Sequence, residues 1–126
     1  MSVTPEIKLE HSDSRGEIYS ITLPGDRELM LLFSKKGSLR GGHSHDVDEV
    51  VMVLTGKMRY HKRIDDSKQE IDLRDGQESY NGAGEVHMGE FLEDTWLIEW
   101  KHARKGEWKN NDDPVYRARV QANAAS

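Results

Sequence analysis

The chain has no cysteine among its 126 residues. Disulfides and thiolate metal ligands are therefore excluded, and any metal must be held by histidine or carboxylate. Long apolar runs are also missing. The longest, Leu29–Phe33 and Val50–Leu54, fall far short of the roughly 20 residues of a membrane helix, so no membrane partner is expected. Positive charge is in the minority, with 18 Lys and Arg against 23 Asp and Glu, a net charge of −5. That balance argues against a nucleic-acid surface. Met1-Ser-Val-Thr-Pro-Glu6 lacks the charged and apolar regions of a secretion signal, so a cytoplasmic location is the expectation. Nor does any segment show a sustained helical period.

What is present is short-period alternation between turns. Glu17–Leu23 alternates, Glu28–Ser34 is apolar nearly throughout, and Val50–Leu54, Lys57–Ile64, Gln69–Leu73, Glu85–Phe91 and Thr95–Lys101 all read as strands. Turn chemistry separates them at His11–Gly16, Pro24-Gly-Asp26, Lys35-Lys-Gly37, Asp65–Lys68 and Asp75-Gly76. The first ten residues are an edge strand or an arm. The last two strands are expected to pair through Leu92-Glu-Asp94. Strands recurring every 8–12 residues or so indicate an all-β sandwich or barrel. One domain is expected over residues 1–126, with a core at about 15–103 and a polar extension at 104–126. Within the extension, Asp113-Pro114 begins a short helix or an added strand, and Gln121–Ser126 reads as disordered.

The most informative stretch is Gly37–Gly56, which contains His43-Ser-His45-Asp-Val-Asp-Glu49. Residues i and i+2 of a strand share a face, so His43 and His45 can aim at one point. Glu49 opens the next apolar run. If that strand folds back beside the histidines, its first side chain completes a metal site.

The spacing G-x5-H-x-H-x3-E-x6-G over Gly37–Gly56 resembles the first motif of the cupin superfamily, with every position present. Gly76-x5-Gly82-Ala-Gly84-Glu-Val-His87 resembles its second motif, with Gly82 where the family has Pro and Phe91 where it often has Asn. The resemblance implies a double-stranded β-helix, the cupin jelly roll. It also implies that His43, His45, Glu49 and His87 bind a metal. Such a donor set suits one divalent first-row transition metal (Fe, Mn, Ni or Zn) and leaves two octahedral positions for water or substrate. Open positions permit direct coordination of a small molecule.

Other residues leave choices open. Arg40, three before His43, either binds a substrate carboxylate in the cavity or is a solvated surface residue. Tyr60 and His61 are adjacent, so at most one of these candidate catalytic groups points inward. In Thr95–Lys101, Trp96, Ile98 and Trp100 are expected to form core or cavity lining, with Glu99 on the solvent side. The reversed register would make Glu99 a buried carboxylate near the metal and a candidate base. Trp108, in a polar stretch, is expected to pack back onto the barrel or onto a second subunit. Lys35-Lys36, Lys62-Arg63 and Asp112-Asp113 read as ordinary solvated surface. Exposed sheet edges point to a homodimer.

Three functions fit these residues. The first is a metalloenzyme of isomerase, lyase or dioxygenase type, acting on a small polar or anionic molecule that coordinates the metal. The second is non-catalytic binding of a sugar or carboxylate. The third is a metal-independent sugar-nucleotide isomerase, because Asp13-Ser-Arg15-Gly16 resembles the entry of the epimerases and ketoisomerases that share this barrel.

Overall fold

A computed structural model describes residues 6–25, 27–103 and 107–125. Among the described residues, eleven strands and one helix follow in chain order: β1 (Glu6–Asp13), β2 (Gly16–Leu23), β3 (Arg27–Ser34), β4 (Leu39–His45), β5 (Glu49–Thr55), β6 (Lys57–Ile64), β7 (Ser67–Arg74), β8 (Glu78–Asn81), β9 (Val86–Phe91), β10 (Thr95–Lys101), β11 (Asn110–Asp112) and α1 (Pro114–Ala124). They form two antiparallel sheets. One has the order β1-β2-β3-β10-β5-β8, and the other β11-β4-β9-β6-β7. From β3 to β10 the chain passes repeatedly from one sheet to the other, which is the winding of a jelly roll.

Residues from both inner faces form the core: Leu32, Val51, Val53 and Leu97 from the first sheet, and Met58, Tyr60, Leu73 and Phe91 from the second. Gly56, the last glycine of the first motif, ends β5 at φ 115°, a conformation that L side chains rarely adopt. A Cβ there would lie 2.5 Å from both the Asp94 carbonyl and Thr95 Oγ1. Both its conformation and its packing therefore require glycine.

Several expectations are corrected. β9 and β10 do not pair. β9 lies between β4 and β6, while β10 lies between β3 and β5, so Leu92-Glu-Asp94 crosses from one sheet to the other. The Asp65–Lys68 turn is tighter than expected, since β7 already begins at Ser67. β8 forms where no strand was expected, its four residues pairing with the start of β5. In the extension Asp113-Pro114 begins a helix, α1, not a strand; β11 forms just before it without having been expected, and the helix takes in Gln121–Ala124 rather than leaving them disordered. Asp26 of the Pro24 turn, Met1–Pro5, residues 104–106 and Ser126 lie outside the described residues.

Lys62, Arg63 and Asp113 are not solvated surface. Lys62 shares the inner face with Met58 and Tyr60 and pairs with Glu85 at 2.7 Å. Asp113 caps α1, accepting from the Tyr116 backbone N–H at 3.1 Å, and is also paired with Arg63. The helix covers the outer side of β4 and β9 with Tyr116 and Val120, which pack on Met88. Its first turn sits directly on Gly42, where a Cβ would come within 2.9 Å of the Arg117 backbone nitrogen. The Asp113→Ala variant should lose about 1–2 kcal/mol, the scale of a lost N-cap. Urea denaturation followed by circular dichroism measures this, and an unchanged midpoint would remove the cap from the account.

Candidate metal centre and cavity

The histidine pair lies on β4, where backbone alternation puts His43 and His45 on one face. Antiparallel pairing sets His43 opposite His87 of β9. The ring centroids of the three imidazoles lie 4.8–5.0 Å apart. One nitrogen of each falls within 4.8 Å of the others, so the three can hold a metal ion. Glu49, first residue of β5, arrives from the opposite sheet. Its Oε2 lies 3.1 Å from His45 Nε2, and its Oε1 lies 3.5 Å from His87 Nε2. The four residues singled out from the sequence are thus gathered at one place.

Their electrostatics suit ligation. Burial, with the neighbouring imidazoles adding to it, pushes His43 down to about 3. Burial likewise lowers His87 to about 4. At neutral pH both rings are uncharged, with lone pairs to donate. His87 Nδ1 lies 3.2 Å from the Glu85 carbonyl, which can only accept a hydrogen bond. The proton therefore sits on Nδ1, and Nε2 is left free to bind a cation. Burial opposes ionisation of Glu49, but the His45 contact together with His87 and Lys101 outweighs it and holds the carboxyl below its ordinary value. His45 Nδ1 is buried and has no hydrogen-bond partner among the described residues, while Glu49 Oε2 is buried between His45 and Lys101. Three imidazoles gathered in one buried place beside an ionised carboxylate are a donor set that a divalent cation would use, so the residues fit the group.

His43 and His87 also line a cavity of about 350 Å³ inside the barrel. That volume lies at the small end for metabolite pockets. Ile18, Leu32, Val51, Met58, Phe91 and Leu97 make its apolar walls. Tyr60, Arg40 and Glu99 supply polar groups, and Arg15, Arg117 and His11 also line it.

Arg40 faces the cavity and is only 7% exposed. Its Nε donates to Ser34 Oγ at 2.7 Å and its Nη2 to the Phe33 carbonyl at 3.3 Å. Its Nη1 is buried without a partner among the described residues. Burial and nearby Arg15 lower its pKa to about 10, so the guanidinium stays charged at neutral pH.

Of the adjacent pair on β6, Tyr60 points inward, its hydroxyl accepting from Asn81 Nδ2 at 2.8 Å. Strand alternation turns His61 to the other side of the sheet, where Nε2 lies 2.9 Å from Glu90 and Nδ1 lies 3.4 Å from Glu70. His61 is thereby excluded from the cavity.

The expectation for β10 is reversed. Leu97 and Glu99 face the cavity, while Trp96 lies half-buried with its ring 4.9 Å from Phe33. The cause is register. Leu97, Glu99 and Lys101 pair with Val53, Val51 and Glu49, the inward-facing residues of β5. Enclosure by the barrel, with the charge of Glu49 adding to it, pushes the Glu99 carboxyl up to about 7.

Other side chains at the site were not expected from the sequence. Asn81, from β8, donates to both Glu49 and Tyr60 and is itself oriented by Ser79. Its position immediately before the turn at Gly82 was the available sign. Arg117 comes from α1, donates to the Gly41 carbonyl at 2.9 Å and lines the cavity. Nothing in the local sequence marked it. Trp108 does pack back onto the barrel, edge-on to His45 with ring centroids 5.2 Å apart. Asp46 and Asp48 stay outside the centre. Asp46 accepts from the Lys109 backbone, and Asp48 from Tyr80 and Ala83.

No family model matches the chain, and no curated protein matches it. Several solved structures do. The capsular polysaccharide assembling protein CapF of Staphylococcus aureus is 22% identical over 90% of this chain and 32% of its own, with a TM-score of 0.72. Bacillus subtilis oxalate decarboxylase, in a structure concerned with its Mn(II) centres, is 18% identical over 77% of this chain and 27% of its own, with a TM-score of 0.64. The Solanum melongena vicilin, with different anionic ligands in structurally similar pockets, is 13% identical over 84% of this chain and 32% of its own, with a TM-score of 0.68. This chain therefore spans about a third of the length of the chains it matches. At such identity the likeness is one of fold, and the fold is the cupin jelly roll.

The titrations carry opposite signs. His43 and His87 have folded values below the ordinary 6.5, so as pH falls the unfolded chain takes up protons first and stability declines from about 6.5 towards about 4. Glu99 has a folded value above the ordinary 4.5, so its contribution is full below that value and is lost as pH rises through about 7. Chelator-treated protein should show a Tm that falls as pH drops from about 6.5 to about 4. The Glu99→Gln variant should melt above wild type near pH 8 and lose that advantage near pH 5. An equal shift at both pH values would mean that the carboxyl is ordinarily solvated.

Proposed function

We propose that this protein is a metal-dependent enzyme acting on a small anionic molecule. A single divalent cation (Fe, Mn, Ni or Zn) would be held by His43, His45, His87 and Glu49. The observation that carries this reading is the convergence of three imidazoles and one carboxylate from opposite sheets beside a cavity that also presents a buried guanidinium nitrogen, unpartnered among the described residues. When bound, the cation would act as a Lewis acid, polarising an oxygen of the molecule it coordinates. The mixture of a metal-ligating wall with a cation and a carboxylate supports catalysis over passive binding, which would be served by neutral and apolar lining alone.

The chain's own groups take distinct roles. Arg40 offers Nη1 to a carboxylate or similar anion and fixes its orientation, while Ser34 and the Phe33 carbonyl hold the guanidinium in place. Glu99, poised to hold or release a proton near neutrality, is the candidate acid or base. Tyr60, raised well above its ordinary value by burial, stays a neutral phenol and shapes the cavity. The apolar walls exclude bulk water and strengthen these charges. The vicilin's anionic ligands and the decarboxylase's Mn(II) centres are consistent with a cupin barrel serving both needs. The proposed homodimer would use β1, an edge strand that exposes Ile7 and Leu9.

The His45→Ala and His87→Ala variants should lose stoichiometric metal in elemental analysis of purified protein, and full retention by both would sink the site. The Arg40→Ala variant should bind small carboxylates roughly tenfold or more weakly by calorimetry, the scale of a lost charge-assisted hydrogen bond. Undiminished affinity would return Arg40 to a structural role.

A further inference from the structure

The ammonium of Lys101 touches the candidate metal ligand Glu49, with Nζ 3.1 Å from Oε2, and its side chain is only 7% exposed. Its place is set by the backbone, because Lys101 is the register partner of Glu49 across β10 and β5. It is also held from the other side. Nζ lies 4.0 Å from the centroid of the Trp108 ring, a cation–π contact. That indole in turn stands edge-on to His45. Trp108 is brought there by β11, whose Asn110 pairs with His45 on β4. Strand register and an aromatic seat thus fix a positive charge against the carboxylate that the cation would need.

We propose that Lys101 is a built-in competitor for the metal. In the metal-free protein it neutralises Glu49, and an entering divalent cation has to share that carboxylate with it, so Lys101 lowers the affinity of the centre and leaves any bound cation more electron-poor. The inference rests on the metal-binding reading above. Its physical basis is simple. Two cations near one buried carboxylate repel each other in a medium that screens poorly, and Trp108 keeps the ammonium from swinging away. The same charge serves a second purpose. A buried Glu49 with no metal and no Lys101 would be held by the His45, His87 and Asn81 contacts alone. Lys101 therefore keeps the empty site folded while making it harder to fill.

The test compares wild type, Lys101→Met and Lys101→Arg by titration calorimetry with Mn2+ and with Zn2+, and by thermal melting with chelator and with saturating metal. Lys101→Met is expected to bind both ions about tenfold or more tightly, the scale on which outer partners of metal ligands act. It should melt below wild type without metal and show a larger metal-induced rise in Tm, because tighter binding adds stability by mass action. Lys101→Arg keeps the charge and should bind close to wild type. Equal or weaker binding by Lys101→Met would overturn the inference, since Lys101 would then merely orient Glu49 or fill space. Should Lys101→Met be too unstable to titrate, a Trp108→Leu variant, which removes the seat but not the charge, should bind more tightly than wild type, and unchanged binding overturns the inference equally. Wild-type protein that takes up neither ion would instead overturn the metal reading itself.

Discussion

The structure depends on the burial of one carboxylate. Glu49 is 1% exposed, and an isolated ionised carboxylate in such a place would cost more than a small domain can supply. It persists because four side chains from four strands meet it. His45 comes from β4, His87 from β9, Asn81 from β8 and Lys101 from β10. These strands belong to both sheets, so satisfying Glu49 requires the barrel to be closed. The same closure brings the three imidazoles together. The candidate centre and the closed barrel are thus coupled: the groups that make the carboxylate tolerable are those that form the site.

Around that point the cavity is built asymmetrically. His43 and His87 open onto it, while His45 and Glu49 stand behind them, outside the lining. Arg40 and Glu99 share the same apolar enclosure, where burial and the charge of Glu49 outweigh the nearby cations and let Glu99 hold its proton up to about pH 7. The C-terminal extension is part of this arrangement. β11 brings Trp108 against His45 and Lys101, and α1 carries Arg117 to the cavity across the glycines of β4. Gly42, without a Cβ, allows the helix backbone its close approach.

Much of this was legible in the sequence. Period-two alternation and turn chemistry gave most of the strands and the all-β class. The two-residue spacing of His43 and His45, with Glu49 at the head of the next strand, marked the site, and the likeness to the second cupin motif added His87. What escaped had physical reasons. β8 is only four residues long, too short for its alternation to show, and so Asn81 was missed. Lys62 looked solvated because its burial rests on Glu85, Ser79 and the Tyr80 carbonyl, all more than 15 residues away in the chain. The crossing from β9 to β10 looked like a hairpin because a short polar connection serves either purpose.

By itself, then, the sequence determined periodicity and local spacing: which side chains share a face, where strands end, and which donor atoms are available to a cation. Only the tertiary structure decided which face is the inner one. Alternation divides β10 into Trp96, Ile98 and Trp100 against Leu97, Glu99 and Lys101, but a period of two is unchanged when inside and outside are exchanged. Cross-strand pairing with Glu49, Val51 and Val53 breaks that symmetry and turns Glu99 and Lys101 inward. In the same way β6 turned Tyr60 in and His61 out. The charge that faces the candidate metal centre was set by register, a property of pairs of strands that no single strand contains.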